Sequence, residues 1–191
     1  MQIMNQIQQQ IQKTKVAIIG AGFGGIAMAI RLQQQGINDF IILEKGKDFG
    51  GTWRDNQYPG AACDVQSHMY SLSYAPKTDW SKRYAEAPEI FSYIQGLIRD
   101  FNLRAFTRLN TEVKAAHYDT TQCHWRLNLN NNEQLYAQYV VFASGPLHVP
   151  QIPKIKGIEK FKGKVFHSSQ WDHNYDLDGK NVASIGTGGS A

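Results

Sequence analysis

The feature that most constrains this chain is a glycine-rich turn, Gly20-Ala-Gly-Phe-Gly-Gly25, which lies between a strand pattern and a helix pattern. The apolar, β-branched run at 15–20 is typical of a buried parallel strand. Residues 26–36 predict a helix that ends at a glycine cap, Gly36, and residues 39–44 predict a second buried strand. Strand, turn, helix and strand in this order form a βαβ unit. We therefore expect an α/β, Rossmann-like fold with a parallel sheet.

The glycines fit the dinucleotide-binding pattern G-x-G-x-x-G at Gly20, Gly22 and Gly25. The first permits the tight turn, the second lets the backbone approach a pyrophosphate, and the third lets helix and strand pack closely. The N-terminus of the following helix offers free N–H groups to the phosphates, and Phe23 in the turn is a further expected cofactor contact. Glu44 ends the second strand, where a carboxylate can accept both ribose hydroxyls, although a surface carboxylate is the alternative. Because a carboxylate disfavours a 2′-phosphate, this turn predicts FAD or NAD rather than NADP.

Composition excludes several other classes of protein. Of the 191 residues, 42% are hydrophobic, which is enough for a core, and the net charge of +4 includes no dense basic block of the kind that binds nucleic acid. The two cysteines, Cys63 and Cys123, form no CxxC, which argues against a disulfide scaffold, a zinc site or a dithiol redox centre and favours a reducing cytoplasmic location. The longest apolar run, 16–30, is too short and too rich in glycine to span a membrane.

A second motif makes the prediction specific. Residues 50–64, GGTWRDNQYPGAACD, resemble the GGTW…N.YPG..CD segment of class B flavin monooxygenases, the family that includes the Baeyer-Villiger type. Adjacent glycines let backbone lie against a ring system, and Thr and Trp can hydrogen-bond and stack on it. The resemblance implies FAD contacts by Gly51, Thr52, Trp53, Asp64 and Tyr70. It also places Asp64 near the nicotinamide and the flavin edge as the catalytic carboxylate; an aromatic loop packed on the core is the alternative.

Two later motifs extend the resemblance. The segment Phe161–Asp172 is similar at every fixed position to the Baeyer-Villiger fingerprint F-x-G-x-x-x-H-x-x-x-W-[PD], whereas related N- and S-oxidising enzymes usually end it in another aromatic residue. The resemblance implies a linker between two nucleotide domains, with His167 as a hinge or hydrogen-bonding residue. After a strand expected at 181–185, the final six residues resemble the NADP-binding turn. NADPH contacts are implied for Gly186, Thr187, Gly188 and Ser190.

The remaining sequence predicts a long loop-rich stretch at 45–87 and an amphipathic helix that Pro88 opens. Short antiparallel strands are expected at 105–109, 111–118, 124–130 and 134–139, followed by a buried strand at 138–145. Val113 is either a backbone contact for adenine or a core valine. The expected domains are a leader (1–14), an FAD-binding domain (15–148), and a linker with the truncated start of an NADP-binding domain (149–191).

The resemblance implies a reaction in which NADPH reduces FAD and a C4a-peroxyflavin inserts one oxygen atom of O₂ into a ketone. We expect the chain to be a truncated N-terminal part that lacks activity alone. The alternatives are an N- or S-oxygenase of the same class and a non-catalytic FAD-binding fragment. A pyridine nucleotide–disulfide reductase would need a redox cysteine pair that the sequence lacks. The expected partners are O₂ and a small ketone or heteroatom substrate, with no nucleic acid or membrane; substrate identity and oligomeric state stay open.

Overall fold

The computed structural model describes residues 12–188, so most of the expected leader and the predicted contact Ser190 lie outside the described residues. Three α-helices occur in this range: α1 (Phe23–Gln34), α2 (Thr52–Asp55) and α3 (Ala87–Asp100). None of the helices within residues 12–188 is long and apolar enough to cross a membrane. The six strands are β1 (Gln12–Ile19), β2 (Phe40–Leu43), β3 (Thr107–Arg108), β4 (Val113–Asp119), β5 (His124–Leu129) and β6 (Gln134–Phe142).

All six strands form one sheet in the order β3-β2-β1-β6-β5-β4. β1 pairs in parallel with β2 and with β6, and β2 pairs in parallel with β3. β5 pairs antiparallel with β4 on one side and with β6 on the other. The predicted α/β fold, a parallel sheet with helices and a small antiparallel meander, is therefore confirmed.

The apolar run before the glycine turn lies in β1, in the interior of the sheet. Ala17 and Ile18 in β1 are fully buried, which is typical of a parallel strand covered on both faces. The helix α1 buries Ile26 and Ile30. It ends as predicted, since Gly36 has a φ of +72° and its N–H donates to the carbonyl of Gln33 at 2.9 Å. β1 begins at Gln12, so residues 12–14 belong to the strand and not to a leader.

Two expectations about the later strands are wrong. The runs expected at 134–139 and 138–145 are one strand, β6, which pairs with β5 along one edge and with β1 along the other. The strand expected at 105–109 reduces to β3, which is parallel to β2 rather than part of the antiparallel meander. For β3 the physical reason is the connection: a crossover that contains α3 returns the chain in the direction parallel to β2, whereas short turns join β4 to β5 and β5 to β6.

The chain divides into two compact units. The first contains the described residues up to Gly51 and Ile94–Gly145, which include the sheet and α1. The second contains Thr52–Tyr93 and the described residues from Pro146 onwards. In the stretch 146–188 the regular structure consists of two short 3-10 helices, Ile158–Lys160 and Ser168–Gln170. The strand expected at 181–185 is not formed, because no other strand lies beside this exposed run within the described residues to pair with it.

Candidate functional site

The glycine turn is closed so tightly that two of its glycines cannot carry a side chain. Gly20 has a φ of +105°, and a Cβ there would lie 2.6 Å from the carbonyl oxygen of Ala143, just after β6. A Cβ on Gly25 would lie 1.9 Å from the carbonyl oxygen of Gly20. The first and third glycines of the motif therefore have the turn-forming and packing roles that the sequence predicts.

The second glycine leaves room at the start of α1. Gly22 is the N-cap residue, and no side chain caps the helix there. A Cβ on Gly22 would have one neighbour within 4 Å, the Cα of Gly51 at 3.7 Å. Phe23 begins the helix and is partly buried. Because Gly22 has no side chain and no other side chain caps the helix, the first backbone N–H groups of α1 are left to bind phosphate oxygens, as helix N-termini commonly do.

Glu44 lies at the end of β2 and is only 5% exposed, so the surface alternative for this carboxylate is wrong. Its Oε2 accepts a hydrogen bond from the N–H of Ala21 at 2.8 Å, and its Oε1 accepts one from the N–H of Gly46 at 2.7 Å. The ribose contact expected for Glu44 stays a prediction. The carboxylate thus holds the glycine turn in place, a role that the sequence did not predict.

The first residues of the GGTW segment lie against the same turn. The N–H of Gly50 donates to the carbonyl of Ala21 at 2.9 Å. Gly51 has a φ of +52°, and a Cβ there would lie 3.1 Å from the Cα of Gly22. Backbone therefore packs on backbone at this point, and the two glycine segments of the sequence form one surface in the first unit.

Within the second unit, the structure brings together three of the predicted flavin contacts. The indole N–H of Trp53 donates to the hydroxyl of Tyr70 at 3.0 Å, and the two rings meet edge to face at 5.8 Å. Burial raises the pKa of Tyr70, the hydrogen bond from Trp53 lowers it, and the nearby Cys63 and Asp64 add smaller increases. Thr52 and Asp64 are exposed. Tyr70 therefore contacts Trp53 directly and lies close enough to Asp64 for that carboxyl to influence its pKa. Spacing along the sequence does not reveal this relationship.

The cysteines form no redox pair. Cys63 is buried and Cys123 is exposed, and both are free thiols. No group of three or more His, Cys, Asp or Glu side chains within the described part of the chain is arranged to hold a metal ion.

The Baeyer-Villiger fingerprint folds as a local loop held by its own aromatic residues. The ring of Phe161 covers Gly163, since a Cβ on that glycine would lie 2.5 Å from Cζ of the ring. Phe166 and Trp171 meet edge to face at 5.1 Å. The fixed glycine and tryptophan of the motif are thus explained by packing within the loop.

Polar contacts close the same loop. The Nδ1 atom of His167 accepts a hydrogen bond from the N–H of Ser169 at 3.1 Å and so caps the 3-10 helix that follows. Lys164 forms an ion pair with Asp172 at 2.8 Å, and this contact holds the pKa of the Asp172 carboxyl below its usual range. The hydrogen-bonding role predicted for His167 agrees with this geometry. Lys164 occupies a variable position of the motif, so the sequence offered no signal for its contact.

The other predicted contacts are not assembled into a site. Val113 opens β4 opposite Leu129 and packs against the core of the sheet, as the core-valine alternative expects; an adenine contact stays a prediction. Gly186, Thr187 and Gly188 are exposed, and the run directly before them, 181–185, does not form a strand. Their contact with NADPH likewise stays a prediction.

Comparisons with known proteins agree with the motifs. The sequence matches the profile of the family described as pyridine nucleotide-disulphide oxidoreductase over residues 17–191. It is 47% identical over 188 residues to a Baeyer-Villiger monooxygenase of Streptomyces coelicolor, covering 98% of this chain and 36% of that protein. It is 50% identical over 177 residues to a Baeyer-Villiger monooxygenase of Pseudomonas aeruginosa, covering 93% and 34% respectively. The chain therefore spans about a third of the length of these curated relatives.

A solved structure shares the fold as well. The crystal structure of OTEMO in complex with FAD and NADP superimposes with a TM-score of 0.85 at 36% sequence identity. The match covers 93% of this chain and 35% of that protein. The likeness therefore extends over nearly all of the sequence.

Proposed function

Because this chain belongs to the pyridine nucleotide-disulphide oxidoreductase family and is similar over nearly all of its length to Baeyer-Villiger monooxygenases, we propose that it provides the FAD-binding domain of such an enzyme. The proposed reaction converts a ketone, O₂, NADPH and a proton into an ester or lactone, NADP⁺ and water. The observation that carries the reaction class is the intact fingerprint Phe161–Asp172, which folds as a loop around its fixed residues.

The residues around the glycine turn fit the adenosine and pyrophosphate half of FAD. Gly22 and the uncapped start of α1 would accept the pyrophosphate oxygens. Glu44, which lies at the end of β2 and contacts the glycine turn at Ala21, would accept the ribose hydroxyls. Its negative charge at this position opposes a 2′-phosphate, which favours FAD over NADP here.

Further contacts are proposed on the sequence pattern. Thr52, Trp53, Asp64 and Tyr70 are the proposed flavin contacts of the second unit, where burial raises the pKa of the Tyr70 phenol above its ordinary value. Bound FAD, once reduced by NADPH, would supply the electrons that activate O₂. With its start moved to Gln12, where β1 begins, the proposed FAD-binding domain is 12–148, and 149–191 is assigned to the linker and the start of NADP binding, through Gly186–Ser190.

A flavin titration tests the FAD assignment. The purified 191-residue chain, mixed with FAD and passed through a desalting column, is expected to retain flavin absorbance near 450 nm, about one FAD per chain. Gly25→Ala is expected to abolish this retention, because its Cβ would overlap the carbonyl oxygen of Gly20. A wild-type chain that folds by circular dichroism but elutes colourless would contradict the proposal.

The reaction class is tested on the complete product of the gene. NADPH oxidation and product formation are followed with a panel of cyclic and open-chain ketones, with dimethylaniline and with methyl phenyl sulfide. Ester or lactone formation is the expected result. N- or S-oxide formation without any ester would instead assign the protein to the N- and S-oxidising branch, and no oxygenated product would overturn both assignments.

A further inference from the structure

The antiparallel part of the sheet has one apolar and one polar face. Leu127 and Leu135 lie in the core, and the residues that alternate with them face the other way. On this second face Arg126 in β5 stands directly opposite His117 in β4 and opposite Tyr136 in β6. Directly paired residues have Cβ atoms about 5 Å apart, so the three side chains are neighbours.

This polar face lines a cavity of about 400 Å³. Its lining includes His117, Asp119, His124, Arg126 and Tyr136. The volume falls in the range of small-molecule sites, roughly 300–1,000 Å³, and exceeds what a single ion needs. The rings of His124 and Tyr136 meet edge to face at 5.1 Å, which gives the cavity an aromatic wall.

The guanidinium of Arg126 has N–H donors that can bind a ligand. Within residues 12–188 it has neither a hydrogen bond nor an ion pair to another side chain. Other arginines of the first unit are engaged: Arg104 pairs with Asp48, and Arg108 pairs with Glu133. An arginine presents five N–H donors in a planar fork that matches a phosphate or carboxylate group.

The one carboxylate in the lining is turned to its own loop. Oδ1 of Asp119 accepts hydrogen bonds from the N–H of Thr121 at 2.8 Å, from its hydroxyl at 2.6 Å and from the N–H of Gln122 at 3.0 Å. These bonds hold the pKa of Asp119 below its usual range. Among the other polar groups that line the cavity, the Arg126 guanidinium and the rings of His117 and His124 can donate hydrogen bonds.

From this arrangement we propose that the cavity binds a phosphate dianion, free or as a phosphomonoester, between Arg126, His117 and His124. The guanidinium holds two phosphate oxygens, and each imidazole donates to a further oxygen. An organic group on the phosphate lies against the ring of Tyr136. The site is formed by β4, β5 and β6 and uses none of the residues assigned above to FAD or NADPH, so it stands independently of the proposed function.

Nuclear magnetic resonance of the histidine rings tests the site. The 191-residue chain is titrated at pH 7 with inorganic phosphate and, separately, with phenyl phosphate, while sodium chloride keeps the ionic strength constant. The His117 and His124 resonances, assigned with single His→Gln variants, are expected to shift and saturate. Arg126→Gln is expected to weaken binding about 10-fold or more, the loss typical of one charge-assisted hydrogen bond. Arg99→Gln, an exposed arginine paired with Asp100, removes the same charge and is expected to leave the affinity unchanged.

The outcomes separate the two sources of phosphate. Equal affinity for both probes assigns recognition to the phosphate group alone, and tighter binding of phenyl phosphate assigns it to an organic phosphomonoester. Shifts that do not saturate, that appear equally with sodium chloride alone, or that persist with unchanged affinity in Arg126→Gln would overturn the proposal. Because Arg126 is exposed, its variant is expected to keep the wild-type circular dichroism spectrum, which verifies that a loss reflects binding.

Discussion

The carboxylate of Glu44 accepts a hydrogen bond from the backbone N–H of Ala21 at 2.8 Å, so the end of β2 holds the glycine turn that follows β1. A second bond from Gly46 fixes the other carboxylate oxygen. The side chain predicted to bind a ribose therefore also determines the position of the backbone predicted to bind the pyrophosphate. Loss of this carboxylate is therefore expected to remove the predicted ribose contact and also to loosen the turn that is predicted to bind the pyrophosphate.

Glu44→Gln tests this double role. The amide has a single acceptor oxygen, so one of the two N–H partners, Ala21 or the partly buried Gly46, loses its bond at a cost of about 1–3 kcal/mol in unfolding free energy. We expect FAD affinity, measured by flavin fluorescence, to fall at least about 10-fold. Glu112→Gln, an exposed carboxylate paired with Lys114, is the control and is expected to change neither quantity. Unchanged FAD affinity in Glu44→Gln would contradict the assignment.

Gly25→Ala and Gly96→Ala form a matched pair of glycine substitutions inside helices. In α1 the new Cβ would lie 1.9 Å from the carbonyl oxygen of Gly20, and we expect about 3 kcal/mol of destabilisation. In α3 the new Cβ would meet only a side-chain nitrogen of Arg99 at 3.8 Å, and we expect stabilisation of roughly 0.5–1 kcal/mol. Urea denaturation measures both. A similar change in unfolding free energy in the two variants would show that the backbone at Gly20 and Gly25 can move apart to accept a Cβ.

Trp53→Phe is expected to raise the pKa of Tyr70 further. Burial already raises this pKa, and the indole N–H of Trp53 opposes that effect because it stabilises the phenolate. A raised phenol pKa contributes stability that is present below the pKa of unfolded tyrosine and is lost as pH rises through the folded value. The measurement is tyrosinate absorbance at alkaline pH, with Tyr70→Phe subtracted to isolate the one residue. A lower Tyr70 pKa in Trp53→Phe would refute the hydrogen bond.

Lys164→Gln is expected to raise the pKa of Asp172 towards its ordinary value, because the ammonium is the main cause of the lowered pKa. A lowered carboxyl pKa contributes stability that is present above the unfolded value and is lost as pH falls through the folded value. In the variant, acidification should therefore destabilise the loop Phe161–Asp172 less than it does in the wild-type chain. Carboxyl-carbon resonances measure the shift, and Lys162→Gln, an exposed neighbour, should leave Asp172 unchanged.

Local patterns predicted those parts of the fold in which neighbouring residues determine the outcome. The run into Gly20, the helix ended by Gly36 and the strand before Glu44 all follow from short-range periodicity and the conformational freedom of glycine. The amphipathic face of α3 was predicted for the same reason, and Ile90 and Ile94 are fully buried. The Baeyer-Villiger resemblance likewise rests on residues at fixed short spacing.

Strand pairing was not predictable in the same way. Whether a strand has one neighbour or two depends on where distant segments return to the sheet, so β6 was divided into two runs and the direction of β3 was misassigned. The run at 181–185 has the composition of a strand, yet within the described residues it has no partner to complete its backbone hydrogen bonds.

The sequence by itself determined the βαβ unit, the glycine roles and the family, because each depends on residue type at fixed spacing along the chain. The tertiary structure alone decided that Glu44 supports the turn at Ala21, that Trp53 donates to Tyr70, and that Arg126 stands between His117 and Tyr136. These contacts join residues 9 to 23 positions apart, across strands and loops. Only the folded backbone sets the short distances that hydrogen bonds and charge require.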